Sequence, residues 1–306
     1  MMPHCAGHCG QTLAVNPWVL GARPRTLPAA VVPVAVGAAC ALGEGERIIW
    51  WRIIAAAVVA LALQIATNYA NDYSDGVKGT DAVRVGPVRL VAGGLASAAD
   101  VRRAAFLAFG IAGVVGAILA IAVGPELFLV GAAAIAAGWF YTGGPKPYGY
   151  YGFGELFVFV FFGLVATAGT TYVLLERLTG TAVVAGVAIG FLACALLVVN
   201  NLRDIPTDAV AGKRTLAVRL GDRATRWLYV ALVGGAAVVI VVLAVATQRW
   251  AVALGALGPL LLGVVPARAV LDGARGPALI PVLGRTARTQ LATGVLLSLG
   301  LILSAG

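Results

Sequence analysis

The chain has 306 residues, of which 60% are AVILMFWYC and only 11% DEKR, with a mean hydropathy of +0.95. Soluble domains carry roughly a quarter charged residues, so too few are present to cover a water-facing surface, and the apolar abundance excludes disorder. The net charge of +9 sits in segments between apolar runs, which points to a lipid bilayer and not to nucleic acid as the partner.

In chain order, residues 1–20 are expected to form a disordered cytoplasmic tail. His4, Cys5, His8 and Cys9 resemble a metal cluster only superficially, and no apolar core follows a basic start as in a signal peptide. Residues 21–306 read as one polytopic domain. A bilayer core takes about 20 apolar residues as helix, and nine runs qualify as spans: 27–42, 53–70, 104–123, 127–141, 153–175, 182–199, 228–246, 251–265 and 291–303. Their glycines and alanines suit close helix–helix approach in lipid. Cys40 and Cys194 lie inside such runs and read as small buried hydrophobes. Trp50, Trp51 and Trp250 fall at span ends, as in an interfacial belt. The phenylalanine-rich run 153–162 reads as packing or lipid contact before it reads as the lining of a tunnel.

Basic residues set the orientation. With a cytoplasmic N-terminus, inside segments carry eighteen lysines and arginines, and outside loops carry four, namely Arg47, Arg52, Arg177 and Arg249. An odd number of spans then puts the C-terminus outside. Two inside segments, 71–103 and 200–226, are much longer than the other connections, and long loops on one face of a bundle are where function concentrates.

Those segments begin with acidic clusters. In the first, Asn68, Asn71, Asp72 and Asp75 recur at three- and four-residue intervals and share a helix face if the second span continues. In the second, Asp204 and Asp208 stand four apart, with Pro206 placed to bend or end the helix. Solvated helix ends would account for one such pair. Five of the 13 acidic residues in two clusters, each at the inner end of a span, point instead to a site. Oxygen donors without thiolates suit Mg²⁺ with substrate phosphates completing its shell. The neighbouring Lys78, Arg84, Arg89, Lys213 and Arg214 suit an anion such as a diphosphate.

At these residues the chain resembles the UbiA-type intramembrane aromatic prenyltransferases. The resemblance runs from about Trp18 to the last helix. It is carried by Ala22-Arg23-Pro24-Arg25-Thr26-Leu27-Pro28, by Asn71-Asp72-Tyr73-Ser74-Asp75-Gly76-Val77-Lys78-Gly79-Thr80-Asp81, and by Gly86-Pro87-Val88-Arg89-Leu90-Val91. Further on come Tyr141 to Tyr150 and the segment from Asp204 through Asp208 to Ala217. The match is closer to one branch, the 1,4-dihydroxy-2-naphthoate polyprenyltransferases of menaquinone synthesis. The broad family places its third aspartate at the position of Gly79. Here Asp81 comes two residues later, as in the naphthoate branch.

The resemblance implies an all-α membrane protein, a bundle of nine helices around a central cavity that opens sideways to lipid. It implies transfer of a polyprenyl group from polyprenyl diphosphate to 1,4-dihydroxy-2-naphthoate, with loss of CO₂ and diphosphate, giving demethylmenaquinone. Asp72, Asp75, Asp204 and Asp208, with Asp81, would hold Mg²⁺, two ions bridging the diphosphate. Asn68 and Asn71 would orient ligands or a phosphate oxygen, with Gln64 and Asn201 beside them. Lys78, Lys213, Arg25 and Arg89 are diphosphate candidates. Lys146, following Tyr141, would meet the diphosphate or the aromatic carboxylate, or serve as a positive-inside anchor. A 4-hydroxybenzoate or homogentisate prenyltransferase shares the metal site and is the nearest alternative. A transporter is the alternative of another class, but it would place its polar site near the bilayer midplane. Nothing in the sequence sets the oligomeric state.

Overall fold

The computed structural model describes residues 16–45, 47–80 and 88–305, and all regular structure among them is helical. Asp81 and Arg84 lie outside the described residues, as do positions 1–15 of the expected tail. In lipid every backbone polar group must be satisfied within its own segment, which is why such apolar runs become helices. The helices are α1 (Pro17–Ala22), α2 (Pro28–Gly43), α3 (Trp50–Lys78), α4 (Ala98–Val123), α5 (Glu126–Phe140), α6 (Gly154–Leu175), α7 (Gly180–Val210), α8 (Leu216–Thr247), α9 (Trp250–Leu271) and α10 (Leu279–Leu303). Side chains of Ser97, Thr179 and Thr215 cap α4, α7 and α8 by accepting from backbone N–H groups three residues on.

Each expected span falls on one of α2 to α10. Among the described residues, however, seven helices are long and apolar enough to cross a membrane, and an eighth arises if α1 and α2, bent by 49°, count as one span. The expected count of nine is not established by length. The 15 residues of α5 rise only ~22 Å, short of a ~30 Å hydrocarbon core.

Three expectations are corrected. Order begins before residue 21, because α1 starts at Pro17 and is held down by Tyr69, whose hydroxyl donates to the Trp18 carbonyl at 2.8 Å. The two segments expected on the inner face are less loop-like than expected. Helix α3 runs through the first acidic cluster to Lys78, where Gly79 closes it at φ 70°. Helix α7 runs through Pro206 to Val210, since proline removes one hydrogen bond without ending a helix held on both sides.

The end of the bundle away from the acidic clusters explains its own arginines. Arg52 Nη1 donates to the Val173 carbonyl at 2.8 Å and to Glu176 Oε1 at 2.9 Å, while Arg177 and Arg249 lie 4.0 and 3.8 Å from Glu44. These cations have local partners, so they weigh little against the basic excess at the other end. Trp50, Trp51 and Trp250 are exposed at the first turns of α3 and α9, the interfacial position that suits indole.

Candidate active site

A cavity of about 940 Å³ lies at the centre of the bundle. It is lined along α3 from Ala56 to Asp75, a rise of ~28 Å, close to the thickness of a hydrocarbon core. One end is polar. The rest is walled by small and branched apolar residues, among them Val59, Leu63, Gly116, Leu119, Val130, Gly131, Gly169 and Val173. Phe157, Phe161 and Phe162 also line it, which favours the tunnel-lining reading placed second to packing; Phe159 instead lies tilted against Phe191, 5.7 Å between centroids. A π-helical stretch at Phe159–Val165 interrupts α6 here, shifting its register beside the cavity.

The two acidic clusters meet at the polar end. Asp72, Asp75, Asp204 and Asp208 all line it, with Gln64, Asn68, Asn71, Asn201, Arg25, Arg89, Tyr141 and Lys213. Each carboxylate has a distinct setting. Asp72 accepts the backbone N–H groups of Leu90 and Val91, at 2.9 and 3.0 Å, and so pins the chain leading into α4. Asp75 is buried, with the Lys213 ammonium 3.0 Å from Oδ2 and the Tyr150 hydroxyl donating to Oδ1 at 2.7 Å. Asp204 takes both arms of Arg203 at 2.7 and 2.6 Å, and Arg203 also donates to Asn200 Oδ1 at 2.9 Å. Asp208 is half-buried, and its carbonyl accepts the Lys213 backbone N–H at 2.8 Å.

The amides brace the site. Asn68 Nδ2 donates to the Ala22 carbonyl at 2.9 Å and to Thr26 Oγ1 at 3.1 Å, and Gln64 Nε2 reaches the same hydroxyl at 3.1 Å. These bonds fix the Pro24–Thr26 turn, and with it Arg25, against α3. Asn71 Oδ1 accepts from Thr142 Oγ1 at 2.8 Å. Asn201 Nδ2 donates to Glu155 Oε1 at 2.9 Å. Tyr148, also lining the cavity, donates to the Ala137 carbonyl at 2.9 Å. Burial pushes its phenol well above the ordinary tyrosine value, so it stays protonated.

Two expected residues are placed elsewhere. Lys146 is exposed and does not line the cavity; the turn from Thr142 to Pro147 carries it outward. Lys78 does not line the cavity either: its ammonium donates to the Thr142 and Gly144 carbonyls at 2.7 and 3.3 Å, beside the Tyr150 ring.

Three residues at the site, Arg203, Tyr150 and Glu155, carry no expected role from sequence. Arg203 was counted only as an inside charge, although a basic neighbour of a motif aspartate is a signal. Tyr150 ends a motif segment without having chemistry of its own. Glu155, buried with Oε2 lacking a hydrogen-bond partner, is a lone acid within an apolar span, which by itself marks a functional candidate.

Among the described residues no three carboxylate, imidazole or thiolate groups converge into a ready-made metal cage. The donors are instead carboxylate and amide oxygens on facing helices, two carboxylates from each of α3 and α7. Mg²⁺ is commonly held in this way, through one or two carboxylates with substrate phosphates completing the octahedron. The residues fit that ion in company with a diphosphate.

The chain is similar to known proteins along most of its length. The 1,4-dihydroxy-2-naphthoate octaprenyltransferase of Mycobacterium tuberculosis is 51% identical over 274 residues, 90% of this chain and 92% of that protein. The Escherichia coli protein of the same description is 35% identical, over 94% of this chain and 95% of its own length. A solved structure of a UbiA homolog from Archaeoglobus fulgidus, bound to GPP and Mg²⁺, shares the fold with a TM-score of 0.63 at 15% identity, over 92% of this chain and 100% of that one. The profile of the UbiA prenyltransferase family matches residues 30–303, and the chain belongs to that family.

Proposed function

We propose that the protein transfers a polyprenyl group from polyprenyl diphosphate to 1,4-dihydroxy-2-naphthoate in menaquinone biosynthesis. The observation that carries this reading is one cavity, ~28 Å long where it runs along α3, with two aspartate pairs at its polar end and apolar wall over the rest. A polyprenyl diphosphate needs both surroundings at once, and the relatives named above carry the same acceptor in their descriptions.

In this reading Asp72, Asp75, Asp204 and Asp208 would hold Mg²⁺; Asp81 is retained as a further ligand. The ion would supply charge neutralisation for the departing diphosphate. Lys213, Arg89 and Arg25 pair with phosphate oxygens, and Asn68, Asn71 and Gln64 keep that wall in place. Lys78, through its hold on the Thr142 and Gly144 carbonyls, positions the mouth and not the phosphate. Lys146 serves as an inner-face charge. The apolar wall excludes water, so the allylic carbon, as its bond to the diphosphate oxygen breaks, meets the aromatic ring and not solvent. The new bond forms at the ring carbon bearing the carboxylate. CO₂ then leaves, returning its bonding pair to the ring and giving the quinol of demethylmenaquinone. Tyr141 and Asn201, which line the cavity, are candidates to contact the acceptor.

Membranes containing the protein, supplied with Mg²⁺ and a polyprenyl diphosphate, should prenylate 1,4-dihydroxy-2-naphthoate and leave 4-hydroxybenzoate nearly untouched, as read by product mass. Equal or better use of the benzoate would remove the naphthoate assignment and keep the family.

The same reading places the aspartate end in the cytoplasm of a bacterial plasma membrane, with the C-terminus outside. In a variant with Cys5 and Cys9 replaced by serine, Val77→Cys should resist an impermeant thiol reagent in intact cells, while Gly180→Cys should react. Both positions are exposed, at opposite ends of the bundle. Labelling of Val77→Cys in intact cells would reverse the orientation.

A further inference from the structure

Three parts of the chain meet at Tyr150. Its hydroxyl donates to Oδ1 of Asp75 at 2.7 Å, while Oδ2 of that carboxylate takes the Lys213 ammonium at 3.0 Å. The ammonium groups of Lys213 and Lys78 lie 4.9 and 5.0 Å from the centroid of the Tyr150 ring. The Tyr150 carbonyl accepts the backbone N–H of Arg214 at 2.9 Å, fixing the ring relative to the residue after Lys213. One phenol therefore joins the end of α3 to the α5–α6 and α7–α8 connections.

Both oxygens of Asp75 carry a partner, so a divalent cation arriving there competes with Lys213 for the same carboxylate. A diphosphate offers Lys213 a second anion. Between the two, a buried ammonium would lose its compensation and suffer the cost of an unpaired charge. An aromatic face removes that interval, because its negative potential acts on the ammonium whichever anion it is leaving or approaching.

We infer that Tyr150 is a positioning residue: its hydroxyl holds Asp75 in place for the metal ion, and its ring carries Lys213 as it passes from Asp75 to a diphosphate oxygen. This rests on the prenyl diphosphate reading above and adds the device by which the site exchanges one ion pair for another. Lys78, on the same ring, is anchored to carbonyls and stays as the fixed charge that favours the outward move of Lys213.

Two variants separate the parts. Tyr150→Phe keeps the ring and removes the donor; Tyr150→Leu removes both. With purified protein, calorimetry would measure binding of geranyl S-thiolodiphosphate, a diphosphate ester poor in transfer, over a range of Mg²⁺ concentrations, alongside the Mg²⁺ concentration for half-maximal turnover. Tyr150→Phe should raise the Mg²⁺ requirement on the order of tenfold, the scale of a lost hydrogen bond to a charged group. It should leave affinity for the analogue at saturating Mg²⁺ within about twofold, since the cation–π contact survives. Tyr150→Leu should show the same Mg²⁺ effect and also bind the analogue about tenfold more weakly. Lys213→Met should weaken analogue binding, and much less so when added to Tyr150→Leu, because the two act as one unit.

If the phenylalanine variant matches wild type in its Mg²⁺ requirement, or additive losses appear for Lys213→Met and Tyr150→Leu, the role of Tyr150 is overturned. The phenylalanine variant differs by one oxygen, so its result decides even where the leucine variant is poorly folded. Wild-type protein that fails to bind the analogue at any Mg²⁺ concentration overturns the functional reading itself.

Discussion

Asp75→Asn and Asp208→Asn should each lower turnover by about 100-fold or more, equivalent to ~2.7 kcal/mol of transition-state stabilisation. Asparagine keeps the shape of the side chain and removes its charge, so the comparison isolates electrostatics. The two aspartates come from different helices, α3 and α7, and line the same polar end of one cavity. Neutralising a departing diphosphate from one side alone leaves charge uncompensated on the other, so each substitution should be close to fully damaging. The double variant should therefore lose far less than the product of the single losses, as residues acting as a unit do. Asp75→Asn carries an extra consequence, because Lys213 then loses its 3.0 Å partner. A melting curve on each variant separates that effect from catalysis. Well-folded single variants that keep wild-type turnover at limiting Mg²⁺ would remove the two-cluster mechanism and leave solvated helix ends in its place.

How much of this was legible in the sequence depended on which forces act on each part. The apolar runs were legible because lipid tolerates no interruption, and their ends beside the acidic clusters were not. Helices α3 and α7 continue beyond the apolar residues because Asn71, Asp72, Asp75 and Asp204 find partners or a cavity wall instead of water. The three- and four-residue spacing of the acids placed them correctly on one face, a purely local inference.

What occupies each acid was not legible. Lys213 reaches Asp75 from a distant connection, a pairing no local pattern encodes. Arg203 and Asp204 are adjacent, and adjacent helical residues do not ordinarily face each other; here the long guanidinium folds back to grip its neighbour with both arms. Lys146, for which a site role and an inner-face anchor were both open, is decided in place by the opposite reason. Its sequence proximity to Tyr141 suggested a shared site, but the intervening turn places one inside the cavity lining and the other in the open. Glu155 was legible in principle, since an acid in an apolar run is costly unless it is used.

Gly163→Ala should lower the melting temperature of the detergent-solubilised protein by several degrees, whereas Gly234→Ala should leave it unchanged or slightly raised. Gly163 lies in α6 where it crosses α7 at Gly186 and Gly190. A Cβ there would stand 2.6 Å from the Gly190 Cα and 2.8 Å from the Gly186 carbonyl oxygen. These are backbone atoms with no rotamer to yield, so the helices must part. Overpacking of this kind costs about 1–3 kcal/mol, which exceeds the gain of up to ~1 kcal/mol from replacing glycine by alanine in a helix. At Gly234 nothing lies within 4 Å, so only the propensity gain remains. Parting α6 from α7 would also move Phe161 and Phe162, which line the cavity. The KM for a long polyprenyl diphosphate should then rise more than that for a short one in Gly163→Ala. Equal melting of the two alanine variants would mean that α6 and α7 do not approach through their glycines, and the position of the cavity wall would lose its explanation.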